Sequence, residues 1–313
     1  MNKLNIVFMG TPSFAVPILE GLIKNYNVTM VVCQPDRKKN RKGEVIKPDT
    51  KVLAETHNIK VFQPLKIKED YQPILDENPD IIITCAYGQI IPEILLNCPK
   101  YGCINVHGSL LPKYRGGAPI HWAIINGDKT TGITIMTMDK KMDAGDIISQ
   151  KSIEIPNDMI LDELYNKMSY LGRDLLLETL PSIIDKTCTF TKQDESLVTF
   201  GYNISKEDEK INFNNKGIDI KNKVRGLNSI PGAYCYLDNL RMKIYEVEVI
   251  ENNKYQNNDI GEIVNVTNDS IQVVCQDSLI NIKDIMIEGK KRCQVKDYFN
   301  GIKKTSLIGK VLK

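Results

Sequence analysis

Four short apolar runs in the first third of the chain, Leu4–Met9, Val28–Cys33, Asp80–Cys85 and Gly102–Val106, are continuous rather than alternating. An alternating strand keeps one wet face. A continuous run belongs to a strand covered on both faces, as in a parallel sheet beneath helices. Helical patterning lies between the runs: Phe14, Ile18, Leu19 and Leu22 share one stripe of a helix over Ser13–Asn25, with Thr11 or Ser13 available to cap it. Strands separated by such stretches read as βαβ units. The expected class is therefore α/β, with an open, mostly parallel sheet flanked by helices. Gly132–Met138 adds a strand, and a helix follows from Met159 to Ile184, capped by Asn157 or Asp158. Leu161, Leu164, Met168, Leu171 and Leu175 form its core face.

The texture changes between Cys188 and Asn215, which is polar, charged and weakly periodic and reads as a linker. Five short strand candidates follow: Gly232–Leu237, Met242–Ile250, Gly261–Val266, Ser270–Cys275 and Ser278–Ile282. That spacing suggests a small antiparallel β-barrel of the OB type. The expected organisation is a first domain over 1–189, a linker over 190–206 and a second domain over 207–313. A length of 313 residues suits two domains at roughly 150 residues each.

With 41 basic and 39 acidic residues the net charge is +2, which excludes nucleic-acid binding by bulk charge but leaves local patches open. No apolar run approaches the roughly 20 residues that span a bilayer, and the N-terminus has no long apolar segment of the secretory kind. The eight cysteines are scattered without metal-ligand spacing, and three histidines are few for a metal site. A reducing cytoplasm, no membrane and no metal are the expectations.

The first strand and its Gly10 turn lack the G-x-G-x-x-G that lets backbone approach a pyrophosphate, so dinucleotide binding is disfavoured. The densest chemistry lies in Tyr101–Asp146. Asn105 and His107 are two apart at the end of a buried strand, hence on one face, at the carboxyl edge where open α/β sheets bind ligands. Asp143 follows the next strand in a glycine-containing loop. An amide, an imidazole and a carboxylate at one strand edge can polarise a carbonyl, move a proton and hold the histidine tautomer. Singly, each is equally well explained by loop hydrogen bonding; their concentration in one window favours a site.

Asn105-Val106-His107-Gly108-Ser109-Leu110-Leu111-Pro112 and then Arg115-Gly116 resemble the Asn-x-His and SLLPxxRG motifs of the 10-formyltetrahydrofolate-dependent formyltransferases. MGTPSFAVP at the start, CQPDR at 33–37, VFQP at 61–64, AYGQIIP at 86–92 and MDAGD at 142–146 extend the likeness along nearly the whole chain. They point to the branch that formylates methionyl-tRNA. The resemblance implies a Rossmann-like catalytic domain, with Asn105, His107 and Asp143 as the catalytic trio. It implies that Ser109, Leu110, Leu111 and Pro112, with Tyr87, Gly88, Gln89, Ile90 and Ile91, line the site of the co-substrate 10-formyltetrahydrofolate. In that chemistry the amine of initiator methionyl-tRNA attacks the formyl carbon. Asn105 and His107 stabilise the oxyanion, and His107 with Asp143 handles the proton. The folate carries the one-carbon unit, so no metal is required.

Two stretches are locally basic. Asp36–Lys51 has seven basic residues against three acidic, and 283–304 has the same balance. By resemblance, Arg37, Lys38, Lys39, Arg41 and Lys42 belong to a loop that meets the tRNA acceptor end. That loop departs from the family's RPxGRG pattern, with Lys38-Lys39-Asn40 before Arg41. Lys290, Lys291 and Arg292 form the second tRNA-binding candidate. Such patches contact phosphates rather than read bases. Asn228-Ser229-Ile230 departs from the proline and tryptophan usual before Pro231-Gly232-Ala233. A UDP-amino-sugar formyltransferase shares the catalytic motifs but has no use for a basic loop. A non-catalytic folate- or RNA-binding module predicts a broken trio, and a glycinamide-ribonucleotide formyltransferase typically lacks the second domain. A monomer is expected by resemblance.

Overall fold

The computed structural model describes residues 4–39, 44–301 and 303–313, with backbone alone at 38, 39 and 44. It divides into two compact units. The first comprises Met1–Pro119, Thr130–Glu154 and Tyr165–Tyr202; the second comprises Ile120–Lys129, Ile155–Leu164 and Asn203–Lys313.

The strands of the first unit are β1 (Asn5–Gly10), β2 (Asn27–Val32), β3 (Arg37–Lys39), β4 (Glu44–Ile46), β5 (Lys60–Phe62), β6 (Ile81–Cys85), β7 (Cys103–His107), β8 (Thr130–Thr137) and β9 (Ile147–Glu154). Seven form one sheet in the order β5-β2-β1-β6-β7-β8-β9, while β3 and β4 form a separate antiparallel hairpin. The pairings from β5 through β7 are parallel; β7–β8 and β8–β9 are antiparallel. Ile6, Val7, Phe8 and Met9 of β1 and Ile81, Ile82 and Ile83 of β6 have no exposed surface, as continuous apolar runs require. Burying each such side chain favours the fold by about 1.5–3 kcal/mol, which explains why these runs occupy the centre of the sheet.

The long helices are Val16–Asn25, after a single turn at Ser13–Ala15, and Leu161–Ile184. The expected caps are not used. Pro17 stands in the first turn of the Val16–Asn25 helix, whose N-terminus has no side-chain cap, and proline there removes a donor that needed none. Thr11 instead donates to Tyr87 O and accepts from Gln34 N, and Ser13 bonds Tyr165. Asn157 accepts from Lys129, Asp158 pairs with Lys221, and the second helix begins at Leu161 rather than Met159.

Residues 190–202, read above as linker, are built into the first unit. Thr191 and Ile147 exchange backbone bonds of 2.8 Å, and Thr199 and Gly201 bond the backbone around Arg115. This segment packs on loops rather than on a sheet face, so it carries no period to read.

The second unit contains β10 (Ala233–Leu237), β11 (Leu240–Ile250), β12 (Ile263–Val266), β13 (Ile271–Val274), β14 (Leu279–Ile287) and the short β15 (Cys293–Gln294). Its antiparallel order is β10-β11-β14-β13-β12, with β15 beside β14. Cys235, Met242, Ile244, Ile271, Val273, Ile280 and Ile282 are fully buried at period-two spacing within their strands. The C-terminal residues join the two outer strands. Lys313 and Tyr236 exchange backbone bonds, while Lys310 and Leu312 bond Ile263 and Gly261. Both edges of the sheet are thereby covered, giving a small barrel without exposed strand edges at those positions.

Candidate active site

The β6–β7 register sets Thr84 beside Asn105. Thr84 Oγ1 donates to Asn105 Oδ1 at 2.8 Å. That bond orients the amide and leaves its N–H group without a protein partner among the described residues. His107 is 5% exposed, and its Nε2 lies 3.0 Å from Tyr114 O. A carbonyl only accepts, so the hydrogen-bond network assigns the Nε2 proton and leaves Nδ1 as the nitrogen with remaining capacity. Nδ1 is 3.7 Å from Asp143 Oδ1, wider than a hydrogen bond and close enough to shorten when the ring is protonated.

Asp143 reaches this position by an indirect route. Antiparallel pairing sets Thr134 opposite His107 and Thr137 opposite Ile104, so β8 runs three residues past His107 before it ends. The loop after it has to return along β7. Two glycines permit this. A Cβ on Gly145 would lie 1.8 Å from Thr137 O, and Gly116, at φ +126, has Gly201 O only 2.8 Å from where a Cβ would stand. Gly116 N donates to Asp143 Oδ2 at 2.8 Å, turning Oδ1 toward His107. Ala86, Tyr114 and Asp143 have φ of 49, 60 and 52, left-handed conformations uncommon for these residue types, particularly Ala and Tyr. All three lie in the loops that carry or flank the trio, and such strain persists only where the surroundings over-determine it.

The expected folate-lining residues divide into anchors and exposed groups. Ser109 is fully buried and its hydroxyl donates to Lys113 O; Leu111 is 3% exposed. Thr134 Oγ1 donates to Ser109 O and accepts from Leu111 N, which shapes the run from within. Leu110 and Pro112 keep partial exposure. Tyr87 and Ile91 are buried, Gln89 is partly buried, and Gly88 and Ile90 are exposed. Burial pushes the Tyr87 phenol well above its ordinary range, and its hydroxyl has no hydrogen-bond partner among the described residues. Sequence segments far apart meet on this loop. Thr11 and Gln34 both donate to Tyr87 O, while Gln89 accepts from Ile67 N. Among the described residues no group of three or more His, Cys, Asp or Glu is arranged to hold a metal, and no helix is long and apolar enough to cross a membrane.

Spacing in sequence gave no sign of Gln193, Glu195 or Thr199. Arg115 is 4% exposed; its Nε donates to Gln193 Oε1 at 3.0 Å and its Nη2 to Glu195 Oε1 at 2.7 Å. The guanidinium holds the Glu195 carboxyl below the usual carboxylate range. Thr199 Oγ1 accepts from Tyr114 N. The sequence signal was Arg115 itself, a cation that needs partners once buried.

The basic candidates are unequal. Arg37 is exposed on the β3–β4 hairpin, and Lys38 and Lys39 lie on β3; Arg41 and Lys42 fall outside the described residues. Lys47 and Lys51 of the same stretch are paired with Glu55 and Asp36. In the second unit Lys290 and Lys291 are exposed, with the Lys290 ammonium 5.3 Å from the Tyr298 ring centre. Arg292 is committed to both oxygens of Asp284 and lies 4.0 Å from the Tyr245 ring centre.

The formyl transferase profile matches residues 3–180, and the formyl transferase C-terminal domain profile matches residues 203–303. A methionyl-tRNA formyltransferase of Malacoplasma penetrans (strain HF-2) is 46% identical over 301 residues, covering 96% of this chain and 94% of the relative. The methionyl-tRNA formyltransferase of Staphylococcus aureus (strain MW2) is 47% identical over 310 residues, covering 98% and 99%. Among solved structures, WlaRD, a sugar 3N-formyl transferase crystallised with dTDP and 5-N-formyl-THF, superposes with a TM-score of 0.64. It is 22% identical, over 93% of this chain and 100% of that one, a likeness of fold.

Proposed function

This chain belongs to the formyl transferase family, with methionyl-tRNA formyltransferases as full-length relatives, and on that premise we propose that it transfers a formyl group from 10-formyltetrahydrofolate to the amine of initiator methionyl-tRNA. The observation that carries the chemistry is the Asn105 amide, oriented by Thr84 with its N–H donors unpartnered among the described residues, on the same strand face as a histidine with Nδ1 available. When bound, the folate supplies the activated one-carbon unit. The residues present suit it: Gly88, Ile90, Leu110 and Pro112 offer accessible surface, while Tyr87, Ser109, Leu111 and Ile91 anchor the loops and Gln89 ties them to Ile67.

In this reading Asn105 donates to the carbonyl oxygen as negative charge develops there, the geometry in which a fixed donor contributes most. With Nε2 engaged by Tyr114 O, the part of His107 narrows to the proton: Nδ1 takes it from the attacking amine, pairs with Asp143, and gives it to the folate N10 as the N10–formyl bond breaks. Arg37, Lys38, Lys39, Arg41 and Lys42, with Lys290 and Lys291, contact tRNA phosphates. Arg292, already neutralised by Asp284, is the weakest of that set. The functional division falls near 190–206, the chain acts as a monomer in the cytoplasm, and no metal takes part.

The discriminating experiment is a formyl-transfer assay with 10-formyltetrahydrofolate and two acceptors, methionyl-tRNA and a UDP-amino sugar. Transfer to methionyl-tRNA alone is the expected result. Transfer only to the sugar would overturn the tRNA assignment while leaving the folate chemistry in place.

A further inference from the structure

We propose that Gln193 is a positioning residue that holds Asp143 against His107, as the buried link of a relay running Glu195, Arg115, Gln193, Asp143. The proposal rests on the catalytic reading above. Gln193 is 9% exposed, and its amide is engaged on both atoms. Nε2 donates to Asp143 O and to Gly145 O, each at 2.8 Å, and Oε1 accepts from Arg115 Nε. The loop it grips has no strand register of its own beyond the Asp146–Thr137 bonds, and Asp143 sits there at φ 52. Gly116 N holds one carboxylate oxygen and Gln193 holds the backbone of the same residue. Together they fix both ends of the side chain that faces His107. A primary amide suits the position because it offers two donors to carbonyls and one acceptor to a guanidinium. A carboxylate there keeps the Arg115 contact and loses both loop bonds.

The test compares Gln193→Glu and Gln193→Leu with Asp143→Asn, singly and combined. Gln193→Glu is nearly isosteric and serves if Gln193→Leu fails to fold. Each Gln193 variant is expected to lower kcat about 10- to 100-fold, the scale of a small misplacement of a catalytic group, with KM for the folate and tRNA affinity unchanged. In the Asp143→Asn background the further loss should be under about twofold, because residues acting through one another are not additive. Losses that multiply would overturn the relay. An independent readout is the Nδ1 resonance of His107, one of only three histidines. It should move in Gln193→Glu in the same direction as in Asp143→Asn. A signal that shifts in Asp143→Asn and stays put in Gln193→Glu overturns the proposal. This resonance needs no acceptor, so it decides Gln193 even if the enzyme formylates neither acceptor tested.

Discussion

The strand edge of the first unit and the barrel of the second treat polar side chains in opposite ways. At the edge, each group is aimed by a backbone or buried partner and keeps one capacity in reserve: the Asn105 amide behind Thr84, His107 Nδ1 behind Tyr114 O, Asp143 Oδ1 behind Gly116 N. In the barrel, prominent cations are neutralised. Arg241 pairs with the buried Glu209 and stacks on Tyr234, and Arg292 pairs with Asp284 and stacks on Tyr245. Groups held in place with a bonding capacity to spare suit the chemistry proposed for the edge; saturated groups suit holding a fold together.

Substitutions should separate the two. The largest effect is expected from Asn105→Ala, a loss of about 10²–10³ in kcat, the usual loss on removing an oxyanion donor. Stability by urea unfolding should change little; a stability loss with kcat intact would break the contrast. Acid should act on the second unit through His121. Burial pushes that imidazole down to about 4, with Asp162 opposing. An unfolded histidine protonates near 6.5, so the unfolded chain binds more protons between roughly pH 6.5 and 4, and stability present above 6.5 is lost as pH falls. The loss amounts to at most about 3 kcal/mol, and His121→Asn should flatten it in unfolding curves taken across that window. Arg241→Met leaves Glu209, 4% exposed, with Lys206 as its remaining ion-pair partner. It should cost about 2 kcal/mol in stability without touching kcat. The smallest effect is expected from Asp284→Asn. Releasing Arg292 should steepen the salt dependence of tRNA binding by up to about one unit of slope, read by filter binding at several ionic strengths; an unchanged slope would keep Arg292 out of the interface.

Much of the first unit was legible because burial on two faces leaves a continuous apolar run, and period two puts Asn105 and His107 on one face whatever surrounds them. β9 and β5 were missed: β9 mixes Ser, Gln and Lys with isoleucine, and β5 is a three-residue edge strand. The caps at Thr11 and Ser13 were misread because distant partners, Tyr87 and Tyr165, claim those hydroxyls. The second unit's strands were legible from their short length and spacing, but not the closure of its sheet by Lys310–Lys313, a tail without a distinctive pattern.

The sequence by itself determined the class of each unit, the strand that carries the site and the types of residue at its edge, since these follow from local periodicity and residue chemistry. Only the tertiary structure decided which nitrogen of His107 faces Asp143, which basic residues are already neutralised, and that Gln193 and Thr199 bond to the loops around them. The last of these depends on contacts between residues 78 and 85 positions apart, Arg115 with Gln193 and Tyr114 with Thr199. No local pattern encodes such contacts, because the groups meet only after the chain has folded.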